Sequence, residues 1–398
     1  MLVITLILSS VIGLTLMSYL DLTSSQNRAV MRSQQWHSIV PVMEAGVEEA
    51  LTQIHYNSTN LSADGWILNN NAYTKTRSFG AGRFVASISN VIPPVVYSAG
   101  YLKIPQSTGE ITRTVRITTT VGALFSRGLV ARGSVTFVGN NVTVDSFDSL
   151  GTNFNWIAAL RKANGTVGSA MGSVSVQNGN IYGAVLISPN GGASVGSNGR
   201  VGDLTYAGNG FQAGSLSSNL NISIPDVTVP AGLSSSLPVP GNNIIFSSGN
   251  YASLGFSSTL TVRSNVVATV LVNGNITGGI TLEPGAKLTI YMNGTTLSVA
   301  GNTQINRDAS STALNLIIYG TGNFTSFGLS GNAAFKGMLY APYATFSCGG
   351  SGNNSVDFAG AAIVSTAGMN GHFNFHYDET LGLKGPSSGY VVASWNEL

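Results

Sequence analysis

Residues 1–20 read MLVITLILSSVIGLTLMSYL and contain no charged side chain. An uncharged apolar run of this length is typical of a helix that crosses a membrane. A secretory signal peptide has a basic start, a shorter apolar core and a cleavage site of small residues, and none of these is evident here. Apolar residues continue to recur at helical spacing in VPVMEAGVEEALTQI at 40–54. We therefore predict an N-terminal helix over 1–55, which at about 75 Å would be far longer than one bilayer requires.

Two further features of this helix carry predictions. Pro41 lacks an amide donor, so we expect it to kink or loosen the helix. Three acidic residues lie on neighbouring helix faces downstream of two arginines. They either pair between adjacent copies of the chain or remain solvated, and the sequence favours neither reading. These charged candidates are Arg28, Arg32, Glu44, Glu48 and Glu49.

The composition narrows the class of protein. Only 9% of the 398 residues are charged and 49 are glycine, whereas ordinary globular domains carry about 25% charged residues. A net charge of +2 without a basic cluster gives little support for nucleic-acid binding. The single cysteine, Cys348, excludes a disulfide within the chain and is interpreted as a small buried residue.

The segment after the helix predicts a small β-rich connecting unit over 56–128. Its first residues are rich in Asn, Ser and Thr and are typical of a surface connection. Farther on, apolar and polar residues alternate in EITRTVRITTTV at 110–121. This alternation predicts a half-exposed strand in an antiparallel sheet.

From 129 to 380 the chain consists of short apolar runs separated by Asn-Gly, Gly-Asn and Gly-Gly, as in VSVQNGNIYGAVLI and AKLTIYMNGTTLSV. An imperfect spacing of about twenty residues predicts a right-handed parallel β-solenoid. A β-sandwich is the alternative, but very short runs and dense turns favour the solenoid. The predicted fold class is therefore α+β, with a long N-terminal helix followed by a mainly β body.

Two segments break the solenoid pattern. Four prolines fall among Ser and Gly near 204–258, which predicts an irregular excursion that leaves and rejoins the solenoid, or a boundary between sub-domains. The C-terminal tail over 381–398 contains the apolar run YVVASW. We expect this tail to cap the open end of the solenoid or to add a strand to a neighbouring subunit.

Some residues invite a catalytic reading. His372, His376 and Asp378 could share one face of a strand, as a metal site or an acid–base pair requires. A strand edge and turn explains them more simply. Asp145 and Asp148 are the closest pair of solenoid carboxylates, and turn capping explains them equally well. We predict no catalytic residue, no metal and no cofactor, and we do not predict an enzyme.

The apolar helix, together with EAGVEEAL at 44–51, resembles type IV pilin-like proteins, in particular large divergent subunits with β-rich C-terminal regions. The resemblance implies a structural subunit of an extracellular filament, whose helices pack together in the filament core. It also implies a membrane-inserted precursor and an inner-membrane assembly machinery. The assembly helix would comprise Met1, Leu2, Ile4, Thr5, Leu6, Leu8, Val11, Leu14, Leu16 and Leu20.

One departure from the family leaves alternatives open. The family usually carries an acid at the fifth mature position, which is Thr5 when counted from Met1. Minor, tip-like and some divergent subunits lack this acid, so a minor or tip subunit that adheres to a glycan or another surface is the first alternative. A membrane-tethered β-helix enzyme acting on polysaccharide is the second. The expected partners are copies of the chain itself, with a surface or glycan target and no nucleic acid.

Overall fold

The computed structural model describes residues 2–57, 60–105, 109–139, 141–150, 155–233, 236–350 and 356–398. The chain forms two compact units, one comprising Met1–Gly122 with Ser387–Leu398 and the other Ala123–Pro386. The predicted fold class is confirmed, because a long N-terminal helix precedes a mainly β body whose largest sheet is a parallel solenoid. The sense in which the solenoid winds stays a prediction.

The elements are as follows. The helices are α1 (Leu2–Ser38), α2 (Val40–Tyr56) and α3 (Leu381–Lys384), with 3-10 turns at Ala63–Gly65, Ala158–Leu160 and Ala313–Asn315. The first strands are β1 (Ile67–Asn69), β2 (Ala72–Phe79), β3 (Gly82–Ser89), β4 (Val95–Lys103), β5 (Glu110–Ala123), β6 (Leu129–Ala131), β7 (Val135–Val138), β8 (Val142–Phe147), β9 (Val167–Ser169), β10 (Ser173–Ser175), β11 (Asn180–Tyr182), β12 (Val185–Ile187), β13 (Gly192–Ser194), β14 (Arg200–Gly202), β15 (Gly210–Phe211) and β16 (Leu216–Ser217). The remaining strands are β17 (Ile244–Ile245), β18 (Gly249–Phe256), β19 (Leu260–Val262), β20 (Val267–Ile276), β21 (Ile280–Leu282), β22 (Lys287–Met292), β23 (Thr296–Val299), β24 (Gln304–Ile305), β25 (Leu316–Gly320), β26 (Ser326–Ser330), β27 (Ala334–Gly350), β28 (Val356–Gly371), β29 (Phe373–Asp378) and β30 (Ser387–Glu397).

The N-terminal helix is interrupted at Ile39, between α1 and α2. Pro41 has no amide hydrogen to donate to the carbonyl one turn earlier, which weakens the helix at this point. Burial also changes here, because α1 has no buried residue whereas Ile39 is fully buried. From Val42 to Ile54, α2 presents an apolar face to the sheet of the first unit.

That sheet has six strands in the order β1-β2-β3-β4-β5-β30, with antiparallel pairing from β1 to β5. The predicted connecting unit is thus the sheet on which α2 packs. We expected the C-terminal tail to cap the solenoid or to add a strand to a neighbouring subunit. Instead, β30 pairs with β5 of its own chain. Leu398 N donates to Thr114 O at 2.9 Å, and the hydroxyls of Ser394 and Thr118 lie 2.6 Å apart. The apolar YVVASW run lies in the strand that covers the open edge of β5.

The second unit is the solenoid, and its coils do not stack in chain order. The first coil, β6 to β8, pairs with the last coil, β28 and β29, on one side and with β9 to β11 on the other. Successive coils continue to β16 at one end, while β18 to β27 stack back from the opposite end. The chain therefore winds outward from the middle, crosses to the far end and winds back.

The crossing segment, here called the strap, comprises the described residues 218–233 and 236–243 and lies within the predicted excursion. Leu220 N donates to Ile187 O at 2.9 Å near one end of the stack. Tyr340 Oη donates to Pro225 O at 2.7 Å in the middle. Leu237 N donates to the carbonyl of Asn250 at 3.0 Å near the other end. The strap thus runs along the stack and covers one of its sides.

The solenoid interior is a column of like residues in register. Phe327 and Phe346 stack with ring centroids 5.3 Å apart, and Phe358 stacks on Phe375 at 4.8 Å. Parallel pairing repeats the same inward position from coil to coil, so each apolar residue packs on its equivalent in the next coil. Cys348 is buried in this interior, and burial raises the pKa of its thiol.

Seven neighbouring parallel strands on one side of the solenoid follow the order β23, β26, β27, β28, β7, β10 and β13, and β20 continues the pairing beyond β23. Two outward rows cross these strands, and every position in them is Ser, Thr or Gly; together they are called the hydroxyl face. The first row is Thr296, Ser326, Thr345, Thr366, Ser134, Ser173 and Gly192, and the second is Ser298, Gly328, Ser347, Gly368, Thr136, Ser175 and Ser194.

Candidate assembly site

The exposed surface of α1 is the largest apolar feature of the first unit. Leu2 is 81% exposed and Leu14 is 67% exposed. The span Leu2–Tyr56 is the one candidate in the described chain that is long and apolar enough to cross a membrane, and its most apolar window has no buried residue. Because water is a poor solvent for such a surface, α1 requires a cover from outside its own chain.

Four hydroxyl side chains of this apolar segment, those of Thr5, Ser9, Ser10 and Thr15, are satisfied within the helix. Thr5 Oγ1 donates to Leu2 O at 2.8 Å, and Ser10 Oγ donates to Leu6 O at 2.9 Å. Thr15 Oγ1 donates to Val11 O at 3.0 Å in the same way. A hydroxyl that bonds to a carbonyl one turn earlier needs no water, so these side chains are compatible with an apolar environment.

The predicted assembly residues fall on one continuous helix. Met1 lies outside the described residues, so only the others can be placed. They lie along the first part of α1, and all of them are exposed: Leu2, Ile4, Thr5, Leu6, Leu8, Val11, Leu14, Leu16 and Leu20. The structure therefore brings them together on a part of α1 that has no buried residue and that precedes the contact between Trp36 and β5.

The predicted intersubunit charges separate into two groups. Glu49 pairs within its own chain, with Lys75 Nζ at 2.6 Å and Arg77 Nη1 at 2.8 Å. The hydrogen bond from Lys75 is the main reason that the pKa of Glu49 is lowered. Glu49 therefore fastens α2 to β2 and is removed from the predicted intersubunit set. The other four charges form no ion pair within the described ranges and are exposed: Arg28, Arg32, Glu44 and Glu48.

Arg113 is a positioning residue that sequence analysis missed. Its guanidinium donates to both carboxylate oxygens of Glu397 at 2.5 and 2.6 Å, and this bond raises the pKa of Arg113. It also donates to Trp36 O at 3.1 Å and lies 4.8 Å from the centre of the Trp36 ring. Arg113 thus connects the C-terminal end of α1 to β5 and β30. No local pattern signals these contacts, because the partners are 77 and 284 residues away.

The histidine cluster in the second unit is closed. His376 Nδ1 lies 2.5 Å from Asp145 Oδ1, and Arg161 Nε donates to Asp145 Oδ2 at 2.7 Å. The Trp156 ring stacks on His376 with centroids 3.9 Å apart, and both His376 and Asp145 are buried. This arrangement leaves no access for a substrate to the imidazole.

The other two candidates of that motif lie apart from this pair. Burial raises the pKa of Asp378, whose carboxylate accepts a bond from Ser149 Oγ at 2.8 Å. His372 is half-buried, and its Nε2 lies 3.2 Å from Asn141 Nδ2. Among the described residues, no group of three His, Cys, Asp or Glu side chains is placed to hold a metal.

Lys336 is a buried cation on the same side of the solenoid. Its ammonium donates three bonds of 2.7 Å, to Asn155 Oδ1, Asp308 O and Ser311 O. Burial lowers the pKa of Lys336 to about 8. Three acceptors match the three N–H groups of an ammonium, so this lysine fastens two surface loops to β27. The sequence shows only an isolated lysine in an apolar run.

Comparisons with known proteins add little beyond these observations. A family described as a domain of unknown function, DUF7305, matches residues 234–383. A search of curated proteins gives no significant match. Among solved structures, an ice binding protein from an Antarctic biological consortium is 16% identical with a TM-score of 0.32, covering 65% of this chain and 90% of that one. The competence-associated pilin ComZ from Thermus thermophilus is 11% identical with a TM-score of 0.28, covering 90% and 96%. Both TM-scores are too low to support a conclusion about fold or function.

Proposed function

We propose that this chain is a structural subunit of a type IV pilus-like filament at the cell surface, assembled by packing α1 against α1 of other copies. The single observation that carries the proposal is that α1 has no buried residue, in a chain whose other apolar residues are largely covered. The neighbouring α2, which continues the same apolar pattern, already has its cover in the sheet. Only α1 is left for a partner.

A membrane-inserted precursor and a filament core both require an uncharged, apolar surface on α1. Residues 2–20 are uncharged and, at about 1.5 Å per residue, span about 28 Å, which matches the apolar thickness of a bilayer. The first charge, Asp21, marks the end of that span. Transfer from lipid to a bundle of identical helices keeps the apolar surface away from water, so an inner-membrane assembly machinery could extract the helix without exposing it.

We propose a structural and not an enzymatic role. The paired solenoid carboxylates Asp145 and Asp148 have structural partners. Asp145 binds His376 and Arg161, while Asp148 accepts bonds from Leu150 N at 2.9 Å and from Thr380 Oγ1 at 2.9 Å. A glycosidase requires two carboxyl groups facing a substrate cleft, and these groups are occupied within the fold.

A minor or tip subunit with an adhesive role is the second candidate. Thr5 favours it, because its hydroxyl is satisfied by Leu2 O and no carboxylate is present at this position to pair with a neighbour's amine. The two candidates share the assembly helix and differ in abundance. A major subunit would make up most of a filament, whereas a tip subunit would be rare.

The test is to shear the surface of cells that express the full chain and to sediment the released fibres. We expect the chain in the fibre pellet together with a trace in the membrane fraction. A chain that dominates the pellet identifies a major subunit, and a chain present at a few copies per fibre identifies a tip or minor subunit. If the chain remains wholly in the membrane fraction while other surface fibres are released, the proposal is wrong.

A further inference from the structure

The sides of the solenoid differ in what covers them. The strap covers one side, where Arg132 Nη2 donates to Ile224 O at 2.8 Å and Tyr340 binds Pro225. Loops cover another side, where Trp156 stacks on His376 and Lys336 binds Asn155. On the hydroxyl face, the side-chain hydrogen bonds of the described residues stay within the face and its immediate margin, as between Thr366 and Thr345 at 3.3 Å. Within the second unit, the described residues of the strap and of these loops form no side-chain hydrogen bond to either row.

The hydroxyl face is regular and free of charge. Its seven strands keep one register through the second row, and in the first row Ser134 directly precedes β7, so at about 4.8 Å per strand the rows extend for about 29 Å. Neighbouring rows lie about 6.7 Å apart along the strands. The side chains are all short, and a Cβ added at Gly368, in the middle of the face, would meet no atom within 4 Å. These features describe an open, even surface without a pocket.

We propose that the hydroxyl face binds the ordered surface of an insoluble, electrically neutral polysaccharide. A hydroxyl both donates and accepts a hydrogen bond, and a partner that is itself covered with hydroxyls matches both capacities. A charged partner would lose its hydration against a face that offers no counter-charge, which disfavours acidic polymers and nucleic acid. The proposal concerns the second unit only, so it stands or falls independently of α1 and of filament assembly.

The same features argue against other occupants. Protein partners are usually anchored by aromatic, Met or Arg side chains, and neither row contains one. A dissolved sugar chain would be held by a pocket or an aromatic platform, and the rows contain no aromatic side chain. Ser and Thr lose little rotamer freedom on binding, so many weak contacts can add up when the ligand repeats in two dimensions.

The test uses the full chain in detergent micelles, which cover α1. Depletion from solution is measured on microcrystalline cellulose and chitin particles as neutral probes, and on calcium alginate beads as the acidic probe. We expect retention on at least one neutral probe and at least about tenfold weaker retention on alginate. No retention on either neutral probe, or stronger retention on alginate, would overturn the proposal.

Two matched pairs of variants then locate the binding surface. Ser347→Glu places a charge in the second row, and its control Ser248→Glu places the same charge at an exposed serine outside both rows. Gly368→Trp raises a ridge on the face, and Gly368→Ser keeps the composition of the row. We expect each face variant to lose about tenfold in retention, equivalent to about 1.4 kcal/mol, while both controls bind like the parent.

The position of each substitution keeps the test interpretable. Ser347 is exposed and the space above Gly368 is open, so neither change disturbs the interior. An unchanged melting temperature would confirm this. Retention of Ser347→Glu equal to that of Ser248→Glu would show that the face is not the binding surface. A different result would also overturn the proposal: Ser347→Glu forms no fibres, while both face variants are retained on the neutral probes as strongly as the parent. The face would then serve contacts between copies.

Discussion

The helices α1 and α2 continue one apolar sequence pattern, yet they have opposite environments. No residue of α1 is buried, whereas α2 buries seven, including Met43, Val47 and Ile54. The difference is supplied by the sheet β2 to β5, which packs against α2 and does not cover α1. Helical periodicity therefore predicts a helix equally well in both regions, but only the tertiary cover shows which part is structural within the subunit and which part is available for assembly.

The largest expected effect separates assembly from folding. Val11→Asp places a carboxylate at the centre of the uncharged segment, at a cost of about 2.5–3.5 kcal/mol per copy in an apolar environment. We expect no sedimentable filament, whereas the solubilised variant should unfold at the parental temperature. Val11→Leu is the control and should assemble. Normal fibre yield from the aspartate variant would contradict the assigned role of α1.

A glycine pair compares the two helices directly. A Cβ at Gly46 would lie 2.3 Å from Ser98 Oγ, whose hydroxyl donates to Met43 O at 2.7 Å. We expect Gly46→Ala to destabilise the first unit by about 1–3 kcal/mol through overpacking. A Cβ at Gly13 would meet nothing within 4 Å, so Gly13→Ala should stabilise α1 slightly in micelles by helix propensity.

Hydrogen exchange of the β3 and β4 amides measures this pair. Protection should fall in Gly46→Ala and remain unchanged in Gly13→Ala. Equal protection in the two variants would mean that α2 is not packed on the sheet as described, and the contrast between the helices would be lost.

A third prediction concerns a charge that the second unit covers for itself. Lys336 has a pKa of about 8 in the folded chain because it is buried, and about 10.4 when unfolded. The unfolded state therefore binds more protons between these values, so the free energy of unfolding should rise as the pH increases from about 8 to about 10.

Denaturant titrations at pH 7.5 and 9.5 test this dependence. The stability difference between the two pH values should shrink in Lys336→Met, which cannot titrate. Both titrations are done below pH 10 because tyrosines also ionise at higher pH. Burial raises the pKa of Tyr340 and Tyr377, so their ionisation in the unfolded chain lowers the free energy of unfolding there. The same pH response in parent and variant would show that Lys336 is not buried.

The smallest expected effect is at the end of α1. The bond from Arg113 lowers the pKa of Glu397, so the pair contributes at neutral pH and its contribution is lost as the pH falls through that lowered pKa. Because the Glu397 side chain is exposed, we expect Glu397→Gln to lower the melting temperature only slightly, and the difference to vanish in molar salt. A large, salt-independent loss would indicate that β30 depends on this pair.

The sequence predicts those features that arise from neighbouring residues. Apolar spacing predicts the helix, and short runs with Asn-Gly turns predict the parallel solenoid. The order in which the coils stack cannot be predicted from the sequence. Strands such as β8 and β29 pair across more than 220 residues, and no neighbouring residue specifies the partner strand. The same limit applies to β30, whose apolar run predicts a packed segment but not the edge that it joins.

The candidate sites divide in the same way. The apolar residues of α1 are evident from the sequence, whereas the intrachain partners of Glu49 are not, since Lys75 and Arg77 lie 26 and 28 residues away on another element. Arg113 and Lys336 acquire their roles from contacts that only the folded chain brings together. The hydroxyl face emerges only from strand register, because its rows combine residues from both halves of the solenoid.

The most direct test is to image the assembled particle by electron cryomicroscopy at a resolution that shows side chains. The account predicts a central bundle in which residues 2–20 of each copy pack only against equivalent helices, while α2 remains on its own sheet. A particle in which residues 2–20 lie in lipid or detergent, without contacts to other copies, would contradict the claim that α1 is the assembly element.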